Sequence, residues 1–197
     1  MKPLSPLKGL VLAGGKSRRM GRDKALLDFH GKPQAEVAAE MLAPFVEEVF
    51  LSCRPDQYAP ELFPGITRLH DLEDGLGPLG GILAAFARHP DAAWLVVACD
   101  LPLLTPAVLD QLVRARAPER AFTAFTSAYD GLPEPLCTVY EPTSLPIIEA
   151  ARAEGKTCPR KILILNPGRV KLLKLPEGNP LDNINAPEDL ERTGLAP

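Results

Sequence analysis

Short, almost wholly apolar runs recur along this chain, and the stretches between them carry apolar residues at helical spacing. "GLVLA" (9–13), "EVFLS" (48–52), "WLVVA" (94–98) and "AFTAFT" (121–126) read as strands. "PLCTVY" (135–140) and "VKLLKL" (170–175) read the same way. Residues 35–43, 79–88, 106–116 and 144–154 read as helices, often with proline at the start. Strand and helix alternate, which predicts an α/β fold: a three-layer, Rossmann-like, mostly parallel sheet with helices on both faces. Ligands of such sheets sit beyond the carboxyl ends of the strands. The informative residues are therefore those just after each strand.

The chain has 197 residues, 46% hydrophobic and 24% charged, and no repeat, low-complexity tract or linker marks a boundary, so 1–197 is expected to be one domain. Its net charge of −3 argues against sequence-independent nucleic-acid binding, which needs a basic face. The opening "MKPLSPLKGLVLAGG" holds no apolar run long enough for a signal peptide or a membrane span. Cys53, Cys99, Cys137 and Cys158 form no CxxC pair and read as free thiols in a reducing cytoplasm. Proline, at 22 residues, is roughly twice as frequent as usual and falls mostly where loops are expected.

The most telling stretch is "LVLAGGKSRRMGRDKALL" (10–27), a strand that runs into glycine and then into charge. Gly15-Lys16-Ser17 spells the end of a P-loop, but GxxxxGK[ST] would need glycine at Leu10, and Gly9 misses the register by one. The loop still has phosphate-binding chemistry. Gly14 and Gly15 permit close backbone approach, and Lys16, Arg18, Arg19, Arg22 and Lys24 are offset only by Asp23. The rival reading is a solvated basic turn.

"WLVVACD" is a buried strand that ends in an acid at the ligand-bearing edge. Mg²⁺ takes one or two carboxylates plus phosphate oxygens and water, which suits Asp100 as a ligand bridging metal and triphosphate. The alternative is an aspartate capping the turn before Pro102. Asn183 and Asn185 face one side if 182–185 is extended, where they can read an acceptor phosphate or, for Asn185, complete the metal site. Equally, Asn185 can cap the helix "APEDLERT", with Glu188 closing a capping box. No Ser-His-Asp or Cys-His arrangement is evident, and His30, His70 and His89 look incidental, His89 as a surface residue.

"LAGGKSRRMGRDKALL" resembles the LAGGxSxRMGxDKxLL signature of the molybdenum cofactor guanylyltransferases, MobA-like NTP transferases of the nucleotide-diphospho-sugar transferase type. The resemblance continues through "HDLEDGLGPLGGI" (70–82), "ACDLPLLTP" (98–106), "PEPLCTVY" (133–140) and "DNINAPEDL" (182–190). It implies transfer of GMP from GTP to molybdopterin-bound molybdenum with release of pyrophosphate, Mg²⁺ as cofactor, and contacts with other cofactor-biosynthesis proteins. It also implies a nucleotide held against Leu12, Ala13, Gly14 and Gly15, with Lys24 on the phosphates, Asp71 near the nucleoside and Asp100 on nucleotide and metal. The glycines of "GPLGG", Gly80 among them, are expected to pack a helix close to the nucleoside. Such transfer needs no covalent intermediate, only alignment and charge neutralisation by Mg²⁺, Lys24 and the Arg18/Arg19 region. The chain departs from the pattern at Cys53, aligned where some members carry asparagine, because a thiol lacks an amide's paired donor and acceptor. A cytidylyltransferase of the same cofactor is the near alternative, although its members tend to read LAAG where this chain reads Leu12-Ala13-Gly14-Gly15.

A different class is also spelled out. Gly75, Gly77 and Gly80 match GxGxxG after the weaker strand signal "ITRLH", and Asp100 lies 20 residues beyond Gly80, as in an NAD-dependent dehydrogenase. The intervening "DLED" argues against it, since it puts acids where a pyrophosphate would sit.

Overall fold

The computed structural model describes residues 4–15, 21–29, 31–71, 73, 75–184 and 189. Its strands are β1 (Leu7–Leu12), β2 (Val49–Cys53), β3 (Thr67–His70), β4 (Ala93–Ala98), β5 (Phe122–Thr126), β6 (Pro133–Tyr140) and β7 (Val170–Lys174). Its helices are α1 (Gln34–Leu42), α2 (Pro78–Arg88), α3 (Pro106–Arg114), α4 (Leu145–Ala153) and α5 (Pro159–Leu165). The strands form one seven-stranded sheet in the order β3-β2-β1-β4-β6-β5-β7. All neighbours are parallel except that β6 runs against both β4 and β5.

Side chains of the central strands alternate between two apolar layers. Val11, Leu95 and Val97 pack with Ala35, Ala38 and Leu42 of α1 and Val108, Leu109 and Leu112 of α3. Leu10, Leu12, Trp94 and Val96 pack with Leu79 and Ile82 of α2, Ile148 of α4 and Ile162 of α5. Burial on both faces is why these strands read as unbroken apolar runs. The three layers expected from the sequence are present.

The expected strands and helices occur among the described residues, with ends shifted by a residue or two; the expected helix "APEDLERT" lies, but for residue 189, outside them. One helix was not anticipated. "PRKILIL" is only seven residues long and forms α5, with Pro159 in its first turn and Ile162 and Leu163 buried. So short an apolar segment cannot be told from a strand by spacing alone. His89 is likewise not a plain surface residue: it is half-buried, its ring 5.5 Å from Phe50 and 6.1 Å from Trp94.

Helix α2 lies unusually close to the sheet. A Cβ built on Gly81 would fall 2.2 Å from Ser52 Oγ and 2.7 Å from Leu12 Cδ2. Gly77, which precedes the helix at φ 56°, occupies the left-handed region that glycine tolerates. Gly81→Ala is expected to push α2 outward at a cost of about 1–3 kcal/mol, the usual range for overpacking. The urea midpoint measures it; an unchanged midpoint would mean that α2 can shift without strain.

Candidate active site

The chain runs from β1 to β2 and β3 on one side and then returns to place β4 on the other side of β1. The strand order thus reverses between β1 and β4, and in such sheets ligands bind beyond the carboxyl ends of the strands at that point. Leu12 pairs with Ala98 across that boundary, and Cys99 N–H donates to Leu12 O at 3.1 Å. The glycine loop and Asp100 thus begin side by side. Gly15 is exposed with nothing within 4 Å of a notional Cβ, which leaves its backbone open to a ligand.

Lys24 opens a short 3₁₀ turn, Lys24–Leu26, capped by Asp23, whose Oδ1 accepts from Ala25 N–H at 3.0 Å. The Lys24 ammonium donates to Asp100 Oδ2 at 2.9 Å, and the two side chains are only 15% and 18% exposed. The other carboxylate oxygen, Asp100 Oδ1, is buried and accepts no hydrogen bond among the described residues. A carboxylate oxygen kept from water without a donor is costly. A cation at that oxygen removes the cost, so the donor set fits a hard divalent ion. Among the described residues there is no cluster of three or more His, Cys, Asp or Glu side chains.

A second group of the sequence-predicted residues meets where β2 and β3 end. Ser52 Oγ donates to Asp71 Oδ1 at 3.4 Å, and Gly80 sits under the same carboxylate, with a notional Cβ only 2.8 Å from Asp71 Oδ2. Leu12, Asp71 and Gly80 are thus brought together, and Ser52 joins them although no sequence signal marks it. The Cys53 thiol is not brought to them. Strand alternation turns it to the opposite face, where it is 1% exposed, with Sγ 3.9 Å from His70 Nδ1, and burial raises its pKa. The GxGxxG reading also fails in three dimensions. Asp71 occupies the start of α2, and β2 and β1 separate β3 from β4, so Asp100 is not on the neighbouring strand.

On the far side of Asp100 lies a cavity of about 330 Å³, lined by Asp100, Tyr129, Glu134, Arg160 and Asn183. It opens where the β5–β6 register slips between Ala124 and Thr126 and where Pro133 and Pro135 can donate no ladder bond. Ile184 N–H donates to Asp100 O at 3.1 Å and so holds Asn183 at the cavity. Tyr129 Oη donates to Asp182 Oδ1 at 2.6 Å, and Arg160 donates to Asp130 Oδ1 at 2.7 Å and to Pro133 O at 3.1 Å. Arg160 belongs to none of the motifs noted above, and only the fold brings it here. Lys16, Arg18, Arg19 and Asn185 lie outside the described residues.

The model of the MobA-like NTP transferase domain matches residues 9–170. A molybdenum cofactor guanylyltransferase of Pseudomonas paraeruginosa is 35% identical over 96% of this chain and 95% of its own length. A molybdenum cofactor biosynthesis bifunctional protein of Synechocystis is 38% identical over 94% of this chain, which spans about half (53%) of that relative. Among solved structures, molybdopterin-guanine dinucleotide biosynthesis protein A of Archaeoglobus fulgidus superposes with a TM-score of 0.73 at 29% identity, covering 94% of this chain and 96% of that one.

Proposed function

This chain belongs to the MobA-like NTP transferase family, and from that premise we propose that it transfers GMP from GTP to the molybdenum cofactor, forming the guanine dinucleotide and releasing pyrophosphate. Relatives of nearly the same length named molybdenum cofactor guanylyltransferase support the reading. The observation that carries it is the Asp100 carboxylate at the edge of the glycine loop, one oxygen paired with the Lys24 ammonium and the other buried and unsatisfied among the described residues.

In this mechanism a phosphate oxygen of the acceptor attacks the α-phosphorus of GTP. A P–O bond forms on one side while the bond to the β-phosphate oxygen breaks on the other. Backbone N–H groups at Gly14 and Gly15 align the phosphates, and Lys24 neutralises charge that develops on the departing pyrophosphate. Arg19, in the same loop, is assigned to that task from the sequence. Asp100 Oδ1 would hold the magnesium ion, with Asn185 as a second ligand, and the bound ion supplies charge neutralisation at the phosphates. Asp71, Gly80 and Leu12 flank the nucleoside, while Asn183 and Arg160 present hydrogen-bond donors to the acceptor from the neighbouring cavity.

Guanine recognition falls to the backbone near Leu12–Gly14 and to Asp71, because the Cys53 thiol faces away. GTP is therefore expected to outperform CTP and ATP by about 10²-fold in kcat/KM, the scale of leaving polar groups unpaired against the wrong base. Parallel assays of pyrophosphate release with molybdopterin-bound cofactor, Mg²⁺ and each nucleotide check this. CTP winning would name a cytidylyltransferase, and binding of NAD with indifference to every nucleoside triphosphate would overturn the reaction class. In this reading the 197-residue chain is one nucleotidyltransferase domain that works in the cytoplasm beside other cofactor-biosynthesis proteins. Four unpaired cysteines support that compartment, and no helix among the described residues is long and apolar enough to cross a membrane.

A further inference from the structure

Ala13, just after β1, and Asp23, just before the turn of Lys24, flank the stretch that carries the basic residues, and the same two side chains grip both. Gln57 Nε2 lies 3.0 Å from Ala13 O and 2.9 Å from Asp23 Oδ2. Tyr58 Oη lies 3.0 Å from Ala13 O and 3.3 Å from Asp23 Oδ1, and it accepts from Gln57 Nε2 at 2.7 Å. The amide orientation follows from the network: Gln57 Oε1 accepts Arg54 N–H at 3.0 Å, which turns Nε2 toward three oxygens. Tyr58 is 5% exposed, its ring set edge-on to Phe63 at 5.1 Å, and burial raises its pKa so that the hydroxyl stays a donor. The segment bearing both residues is itself braced. The Arg68 guanidinium donates to the carbonyls of Tyr58, Ala59 and Leu62 at 2.9, 2.6 and 2.6 Å.

Asp23 is the residue through which this grip reaches the chemistry. Its carboxylate caps the turn that opens with Lys24, and Leu26 N–H donates to its carbonyl at 3.1 Å. The ammonium of Lys24 ends 2.9 Å from Asp100. We propose that Gln57 and Tyr58 are positioning residues for Lys24: they close the neck of the nucleotide loop at Ala13 and Asp23 and so fix where the lysine's charge meets the phosphates. The proposal rests on the reading of Lys24 as a phosphate ligand in nucleotidyl transfer. Neither residue belongs to a motif that the sequence exposes.

A double-mutant cycle separates positioning from general support, because residues that act through Lys24 have nothing left to act on once it is gone. Gln57→Leu with Tyr58→Phe is expected to lower kcat by about 10-fold, the scale of a small misplacement of a reacting or charge-stabilising group, with a smaller change in KM for GTP. In a Lys24→Ala background the same pair of changes should lower kcat by no more than about 2-fold. Equal fractional losses in the two backgrounds would overturn the proposal. Hydrogen exchange on the free protein reads the neck without any assay of transfer. The amides of Ala25 and Leu26 should exchange about 10-fold faster in the variant while those of α1 stay as in the parent. Unchanged exchange at Ala25 and Leu26 would also overturn it, whereas faster exchange in the variant, together with a parent that transfers no GMP, would sink the functional reading and leave the neck standing. Should the double variant fail to fold, Tyr58→Phe alone removes one oxygen from the neck and is scored by the same two measurements.

Discussion

Asp100→Asn is expected to lose magnesium-dependent turnover by on the order of 10³-fold, the several kcal/mol that a correctly held ion contributes to phosphoryl chemistry. The substitution is chosen for shape. With its one oxygen turned to the Lys24 ammonium, now 2.9 Å from Oδ2, asparagine puts an amide NH₂ where the unsatisfied Oδ1 lies, and that group repels a cation. Folding should be little changed, since the carboxylate already carries an unsatisfied oxygen whose desolvation the protein tolerates. The decisive readout is calorimetric. The parent should bind GTP more tightly with Mg²⁺ than without it, and the variant should show no such difference. Identical Mg²⁺–GTP binding in the two proteins would make Asp100 a structural partner of Lys24 and not a ligand.

Lys24→Ala should lower turnover by about 10²–10³-fold, as the loss of one preorganised charge-stabilising donor does in other acyl- and phosphoryl-transfer sites. The effect belongs in kcat more than in KM, because charge on the leaving pyrophosphate grows as the bond breaks. The structure adds a consequence that a polar-loop lysine would not have. At 15% exposure and paired with Asp100, Lys24 leaves behind a largely buried carboxylate with neither oxygen satisfied by a side chain among the described residues. A modest fall in stability, about 1 kcal/mol for a pair that water still reaches, should therefore accompany the kinetic loss. A thermal melt and steady-state kinetics on the same preparation separate the two effects. An unchanged rate with a lowered midpoint would reduce Lys24 to a structural counter-ion.

Several of these residues are visible in the chain itself because their placement depends on one strand and its immediate exit. Gly14 and Gly15 follow an apolar run, and Asp100 ends another. Such residues sit at the ligand-bearing edge of any parallel sheet. The cavity proposed for the acceptor is harder to read. Arg160 lies on a helix too short to announce itself, and it lines the cavity beside β6, where the β5–β6 pair slips in register. Ser52 and Cys53 are adjacent in the chain yet face opposite layers. An alignment column that points to Cys53 cannot reveal which of the two side chains meets Asp71.

What the sequence by itself determined is the set of elements and the edge at which chemistry is done. Runs such as "WLVVA", apolar on both faces, require a sheet with helices on either side, and glycine or an acid at their ends marks the crevice. What only the tertiary structure decided is which distant groups meet there. Lys24 finds Asp100 across 76 residues, Gln57 finds Asp23 across 34, and β6 inserts antiparallel between β4 and β5. Periodicity is a local property, set by the pitch of a helix or the pleat of a strand. Contacts across tens of residues depend instead on the order in which strands join the sheet, and that order is settled by the packing of both apolar layers at once.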